Sequence, residues 1–120
     1  MLKGSLYQVT SFNHQDGIIE AVLEINVDHE IFKGHFPNQP VLPGACMLQI
    51  VREVLEHTLL RKLQLQKADH LKFLQLIDPQ INNIIKLKLT YRLVDASAMY
   101  VNGSFTTTES IAFKFQGTFI

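Results

Sequence analysis

The chain has 120 residues, 47% of them hydrophobic and 18% charged, with eleven Lys+Arg set against eleven Asp+Glu. That length supports one domain, residues 1–120, around one core, and the even charge leaves no global basic excess to gather nucleic acid or anionic membrane. No apolar run is long enough for a secretory or membrane-spanning segment, and the single cysteine, Cys46, excludes an intrachain disulfide or cysteine zinc cluster, so a cytoplasmic protein is expected.

In chain order, residues 5–12 and 17–26 read as two strands around the polar turn 13–17. In the second, Ile19, Ala21, Leu23 and Ile25 alternate with Glu20 and Glu24. A short helical turn is expected at 29–33, where Asp28-His29-Glu30 reads as a turn and helix cap. Residues 34–44, Gly-His-Phe-Pro-Asn-Gln-Pro-Val-Leu-Pro-Gly, hold three of the four prolines and form a loop stiff by construction. The one long helix is expected over 44–65, with Met47, Leu48, Val51, Val54, Leu55, Leu59 and Leu63 as its core stripe. Its first two turns are apolar almost all round, with Gln49 the exception. Strands follow at 70–76, 84–94, 99–107 and 110–119. The second of these alternates Ile85, Leu87, Leu89, Tyr91 and Leu93 with Lys86, Lys88, Thr90 and Arg92.

These elements make an α+β domain of order ββαββββ, an antiparallel sheet curled around one helix. A single helix shields one face of a sheet, and Val22, Ala98, Tyr100 and Ala112 interrupt the polar outer positions. Dimerisation through a sheet edge or face is expected.

The first backbone N–H groups of the long helix, at Gly44 and Ala45, have no intrahelical partner. With the positive end of the helix dipole they suit a carbonyl oxygen that gains negative charge, and glycine permits close approach. His35 lies nine residues upstream, at the far end of the stiff loop. A base and an oxyanion site flanking one carbon are what enolate chemistry requires.

The string His35-Phe36-Pro37-x-x-Pro40-Val41-x-Pro43-Gly44 resembles the active-site loop of the bacterial β-hydroxyacyl-acyl-carrier-protein dehydratases, which have the hot-dog fold. Lys72-Phe73-Leu74 followed by Ile77-Asp78-Pro79 is similar to that family's strand and turn after the helix. The resemblance implies dehydration of a (3R)-hydroxyacyl thioester to the trans-2-enoyl thioester, in fatty-acid or polyketide-type metabolism. It implies that His35 removes the C2 proton, that the Gly44 N–H polarises the thioester carbonyl, and that the Val41 backbone helps orient the histidine. Phe36, Val41, Pro43 and Ala45 are the implied substrate-binding positions. The substrate would be an acyl thioester on acyl carrier protein or coenzyme A, held by a homodimer, a heterodimer or a higher oligomer. No cofactor or metal is implied; His14, His29, His57 and His70 are scattered without ligand spacing.

One position departs from the family. Fourteen residues after the histidine, on the helix, the family places Asp or Glu from the opposite subunit; this chain has Gln49. An amide exchanges no proton at neutral pH, and loss of a general acid costs about 10²- to 10⁴-fold in rate. Three readings stand: His35 acts alone while Gln49 positions substrate, Glu53 one turn on substitutes, or the chain binds acyl thioesters as a catalytically weak subunit. A hot-dog thioesterase is a weaker alternative. Elsewhere, Cys46 reads as a packed apolar cysteine and Lys86, Lys88 and Arg92 as a solvated face or a dock for an acidic carrier. Phe32, Phe36, Phe73, Phe113 and Phe115 read as core or tunnel lining.

Overall fold

Alternation decides the sheet. Strands β1 (Tyr7–Gln15) and β2 (Ile18–Ile25) form a hairpin in which Ile19, Ala21, Leu23 and Ile25 are buried and Glu20 and Glu24 exposed. The hairpin turn is tighter than expected: β1 continues to Gln15, and only Asp16 and Gly17 turn, with φ of 53° and 76°. Two positive φ values match an Asp-Gly type I′ turn, whose twist suits antiparallel strands. A computed structural model describes residues 1–33, 41–108 and 110–120.

After a 3₁₀ turn (Glu30–Phe32), capped by His29 Nδ1 accepting from the Ile31 N–H at 3.0 Å, the chain reaches helix α1 (Gly44–Leu59). Strands β3 (Leu65–Phe73), β4 (Ile84–Leu93), β5 (Met99–Thr106) and β6 (Ile111–Phe119) complete the expected order. All pairings are antiparallel, in the sheet order β1-β2-β4-β5-β6-β3. The sheet's buried face (Ile85, Leu87 and Leu89 of β4, Val101 and Phe105 of β5, Phe113, Phe115 and Phe119 of β6) shares one core with Met47, Ile50, Val51, Val54 and Leu55 of α1.

The helix ends earlier than its stripe suggests. Leu60 adopts a left-handed conformation (φ 54°), its N–H returns to Glu56 O, and Glu56 Oε2 accepts from Leu63 N at 2.8 Å. Leu63 is buried but lies beyond the helix. Gln64 and Ile120 then exchange backbone hydrogen bonds (2.7 and 2.9 Å), which starts β3 alongside β6 five residues before the expected point. Ala112, expected on the outer face, is fully buried where the Leu74 and Gln75 N–H groups both donate to its carbonyl.

Candidate active site

The proline loop delivers its last residues to α1 under restraint. The Leu42 N–H donates to Ile77 O at 2.9 Å and the Leu42 side chain is buried, which pins the loop's end to the segment after β3. Pro43 is the N-cap residue (φ −65°, ψ 147°), and its carbonyl accepts from Cys46 N (3.0 Å) and Met47 N (3.2 Å). The helix's first two N–H groups, on Gly44 and Ala45, precede those bonds; no side chain caps them from Pro43. Ala45 is exposed, whereas Val41, Pro43 and Gly44 are half-buried. His35 and Phe36 lie outside the described residues, as do Pro37 and Pro40.

Phe73, at the end of β3, stands directly over Gly44. A Cβ built on Gly44 would meet ring carbons Cε1 and Cζ of Phe73 at 2.6 Å. The Phe73 ring rests against Phe113 (centroids 4.8 Å apart) but is 56% exposed, unlike the other phenylalanines of β5 and β6, which are buried. It forms a wall beside the helix start, where the sequence left its role between core and tunnel.

Gln49 follows Gly44 by five residues, about 7.5 Å along the axis. Its half-buried side chain accepts from Arg52 Nη2 at Oε1 (2.8 Å) and donates through Nε2 to Glu53 Oε2 (2.8 Å). Glu53 also accepts from Leu2 N (2.8 Å), Lys3 N (2.9 Å) and the Tyr7 hydroxyl (3.1 Å). Burial pushes the Glu53 carboxyl towards a higher pKa. The bonds from Leu2 N, Gln49, Lys3 N and Tyr7 outweigh it and hold the group below its ordinary value. Burial, then the Glu53 charge and hydrogen bond, raise the Tyr7 phenol. Glu53 is therefore an ionised acceptor with four donors, the reverse of a general acid, and sits about 13.5 Å along the axis from Gly44. The sequence places Glu53 one turn from Gln49, but no signal marks Leu2, Lys3 and Tyr7 as its partners, because they lie about fifty residues away.

Beyond Glu53, a cavity of about 290 Å³ opens between β1 and the second half of α1. Lys3, Tyr7, Val9, Phe12, Glu53, Val54 and His57 line it, and no residue from 41 to 49 does. Cys46 is buried, and burial raises its thiol pKa, in keeping with a packed apolar cysteine. Among the described residues no group of three or more His, Cys, Asp or Glu side chains is placed to hold a metal, and no helix is long and apolar enough to cross a membrane.

A six-stranded antiparallel sheet wrapped on one helix, with Leu42 and Pro43 held at the helix start, defines a hot-dog protein. The structure superposes on the dehydratase heterocomplex ApeI:P from Xenorhabdus doucetiae with a TM-score of 0.75 and 17% identity, covering 93% of this chain and 96% of that one. A hypothetical thioesterase with coenzyme A from Streptococcus pneumoniae superposes at 0.67 and 8% identity, covering 94% and 83%; at such identities the likeness speaks for the fold.

In sequence, residues 11–116 match the family model of the ApeI-like dehydratases, described as ApeI dehydratase, and the chain belongs to that family. It is also similar to the 3-hydroxyacyl-acyl-carrier-protein dehydratase FabZ of Lactococcus lactis subsp. lactis, at 27% identity over 125 residues, spanning 89% of this chain and 81% of the relative. The FabZ of Helicobacter hepaticus is 39% identical over 44 residues, which is 37% of this chain and 26% of that enzyme.

Proposed function

We propose that the chain binds (3R)-hydroxyacyl thioesters, on acyl carrier protein or coenzyme A, and dehydrates them to trans-2-enoyl thioesters. The observation that carries this reading is the helix start. Two backbone N–H groups free of intrahelical bonds, at Gly44 and Ala45, open α1 directly after Leu42, which is pinned to Ile77, and the Phe73 ring packs close against Gly44. In this reading the thioester carbonyl accepts from the Gly44 N–H, which stabilises the enolate oxygen. The imidazole of His35 removes the C2 proton. The C3–O bond then breaks, the C2–C3 double bond forms, and the same proton returns to the departing hydroxyl, which leaves as water. Gln49 holds the hydroxyl without exchanging a proton. Val41, Pro43 and Ala45 border the acyl thioester, with Phe36 beside His35.

The exposed edge supports an oligomer. β3 pairs on one side with β6 and all nine of its residues are exposed, including Leu65, Leu71 and Phe73. Pairing of a second chain along this edge, identical or related, would cover those side chains and bring the partner beside Gly44. Exposed Lys86, Lys88 and Arg92 on β4 offer an acidic carrier a complementary face.

Purified protein supplied with short and medium 3-hydroxyacyl thioesters on either carrier should form 2-enoyl product. Absence of product with every carrier and chain length, with or without a dehydratase-like partner, refutes the proposal. The engagement of Gln49 by Arg52 and Glu53 favours a second reading, a catalytically weak subunit of a dehydratase pair. Activity that rises by orders of magnitude only when a related partner is added would select it.

A further inference from the structure

Gln49 stands between a group that only donates and a group that, ionised, only accepts. Arg52 Nη2 donates to Gln49 Oε1, and Gln49 Nε2 donates to Glu53 Oε2, both at 2.8 Å. A guanidinium carries five N–H donors and no acceptor; a carboxylate carries acceptors alone. The bonds therefore run one way, and the side chain at 49 must accept at one end and donate at the other. An amide of glutamine's length does both. A glutamate there would satisfy Arg52 but set oxygen against oxygen at Glu53, which already draws in Leu2 N, Lys3 N and the Tyr7 hydroxyl.

We propose that Arg52 and Glu53 are positioning residues that lock the Gln49 amide as a one-way hydrogen-bond relay, carbonyl towards Arg52 and amino group towards Glu53, so that an ionised carboxylate is excluded from position 49. One N–H on Nε2 and one lone pair on Oε1 are left over. On the dehydratase reading, on which this extension rests, those two valences are what the substrate hydroxyl meets. The relay is tied to the start of the chain, because the carboxylate that orients Gln49 also fastens Leu2 and Lys3.

The relay predicts how a carboxyl at 49 behaves. Among the described residues, the other charged and titratable groups around the pair are Met1, Lys3 and Tyr7 on one side and Arg52, Glu56, His57, Arg61 and Lys62 along and just after α1. In Gln49→Glu, Arg52 engages one oxygen while the other faces Glu53, so one carboxyl of the pair keeps its proton above the ordinary glutamate range. A group whose folded pKa is raised stabilises below its unfolded pKa and loses that contribution as pH rises. Thermal unfolding of the wild type, Q49E, E53Q and Q49E/E53Q at pH 5 and pH 7 tests this, together with ¹³C titration of the glutamate carboxyls.

The expected result is a Q49E midpoint at least about 4 °C below wild type at pH 7. That deficit narrows at pH 5, one carboxyl titrates above the ordinary range, and the deficit disappears when E53Q is present. Equal stability of Q49E and wild type at pH 7, an equal deficit at both pH values, or an equal deficit in both backgrounds overturns the relay. If chains carrying E53Q do not fold, the pH dependence and carboxyl titration of Q49E decide alone. These readouts need no turnover, so failure of the dehydration assay counts against the proposed function and leaves the relay to be judged on its own.

Discussion

Glu53→Ala is the sharpest perturbation of the framework behind the site. The wild-type carboxylate accepts four hydrogen bonds: from Leu2 N, Lys3 N, the Tyr7 hydroxyl and Gln49 Nε2. Alanine leaves the Tyr7 hydroxyl buried without its acceptor, at about 1–3 kcal/mol, while the half-buried Gln49 amide and the two N–H groups recover part of their loss from water. The total should be about 3–5 kcal/mol, which for a domain of this size lowers the melting midpoint by about 10–20 °C. Circular dichroism melts at neutral pH measure it, and amide exchange at Leu2 and Lys3 should quicken in step. The pH dependence has a definite sign. Hydrogen bonds hold the folded carboxyl below its unfolded pKa, so its contribution is complete above the unfolded value and is lost as pH falls through the folded one. The gap between wild type and variant should therefore narrow in acid. A neutral-pH loss under about 1 kcal/mol, or a gap that is constant with pH, refutes the assignment of Glu53 as an ionised clamp.

Gly44→Ala drives a Cβ into the Phe73 ring and should cost about 1–3 kcal/mol and about 10²-fold in dehydration rate. Adding Phe73→Ala should restore the stability but not the rate, and recovery of both would remove the close approach at Gly44 from the mechanism. Gly17→Ala places a Cβ 2.9 Å from Tyr91 O at a φ of 76° and should cost about 1–3 kcal/mol in a denaturant melt; a neutral outcome contradicts the type I′ turn. Cys46, buried with a raised thiol pKa, should react with iodoacetamide at neutral pH at least about 100-fold more slowly than in denaturant. Rapid native labelling would place it at an accessible site instead.

What the sequence made legible follows from which residues are buried on one side. β4 alternates because Ile85, Leu87 and Leu89 face the core while Lys86 and Lys88 face out, and its start at Ile84 was readable to the residue. β3 carries no such pattern, since all nine residues are exposed, and only its pairing with β6 defines it. The helix end was hidden by Leu63, an apolar residue in phase with the stripe that is buried after the chain has already turned at Leu60. That Gly44 opens α1 and that Gln49 lies five residues along it was readable from the sequence, while their roles belong to the proposed function. The anchoring of Gln49's neighbour Glu53 was not, because Glu53 gathers Leu2, Lys3 and Tyr7 from about fifty residues away. A substitute acid at Glu53 was one of three readings open in the sequence; its four donors make it instead the anchor of a framework.

The central claim is that His35 and the start of α1 together turn over a hydroxyacyl thioester. Its most direct test is the rate of 2-enoyl formation from a 3-hydroxyacyl thioester by the wild type and by His35→Ala, with folding checked by matching melts. The account predicts product from the wild type and at least about a 100-fold loss in the variant. Equal rates, or no product from the wild type with any carrier, would contradict it.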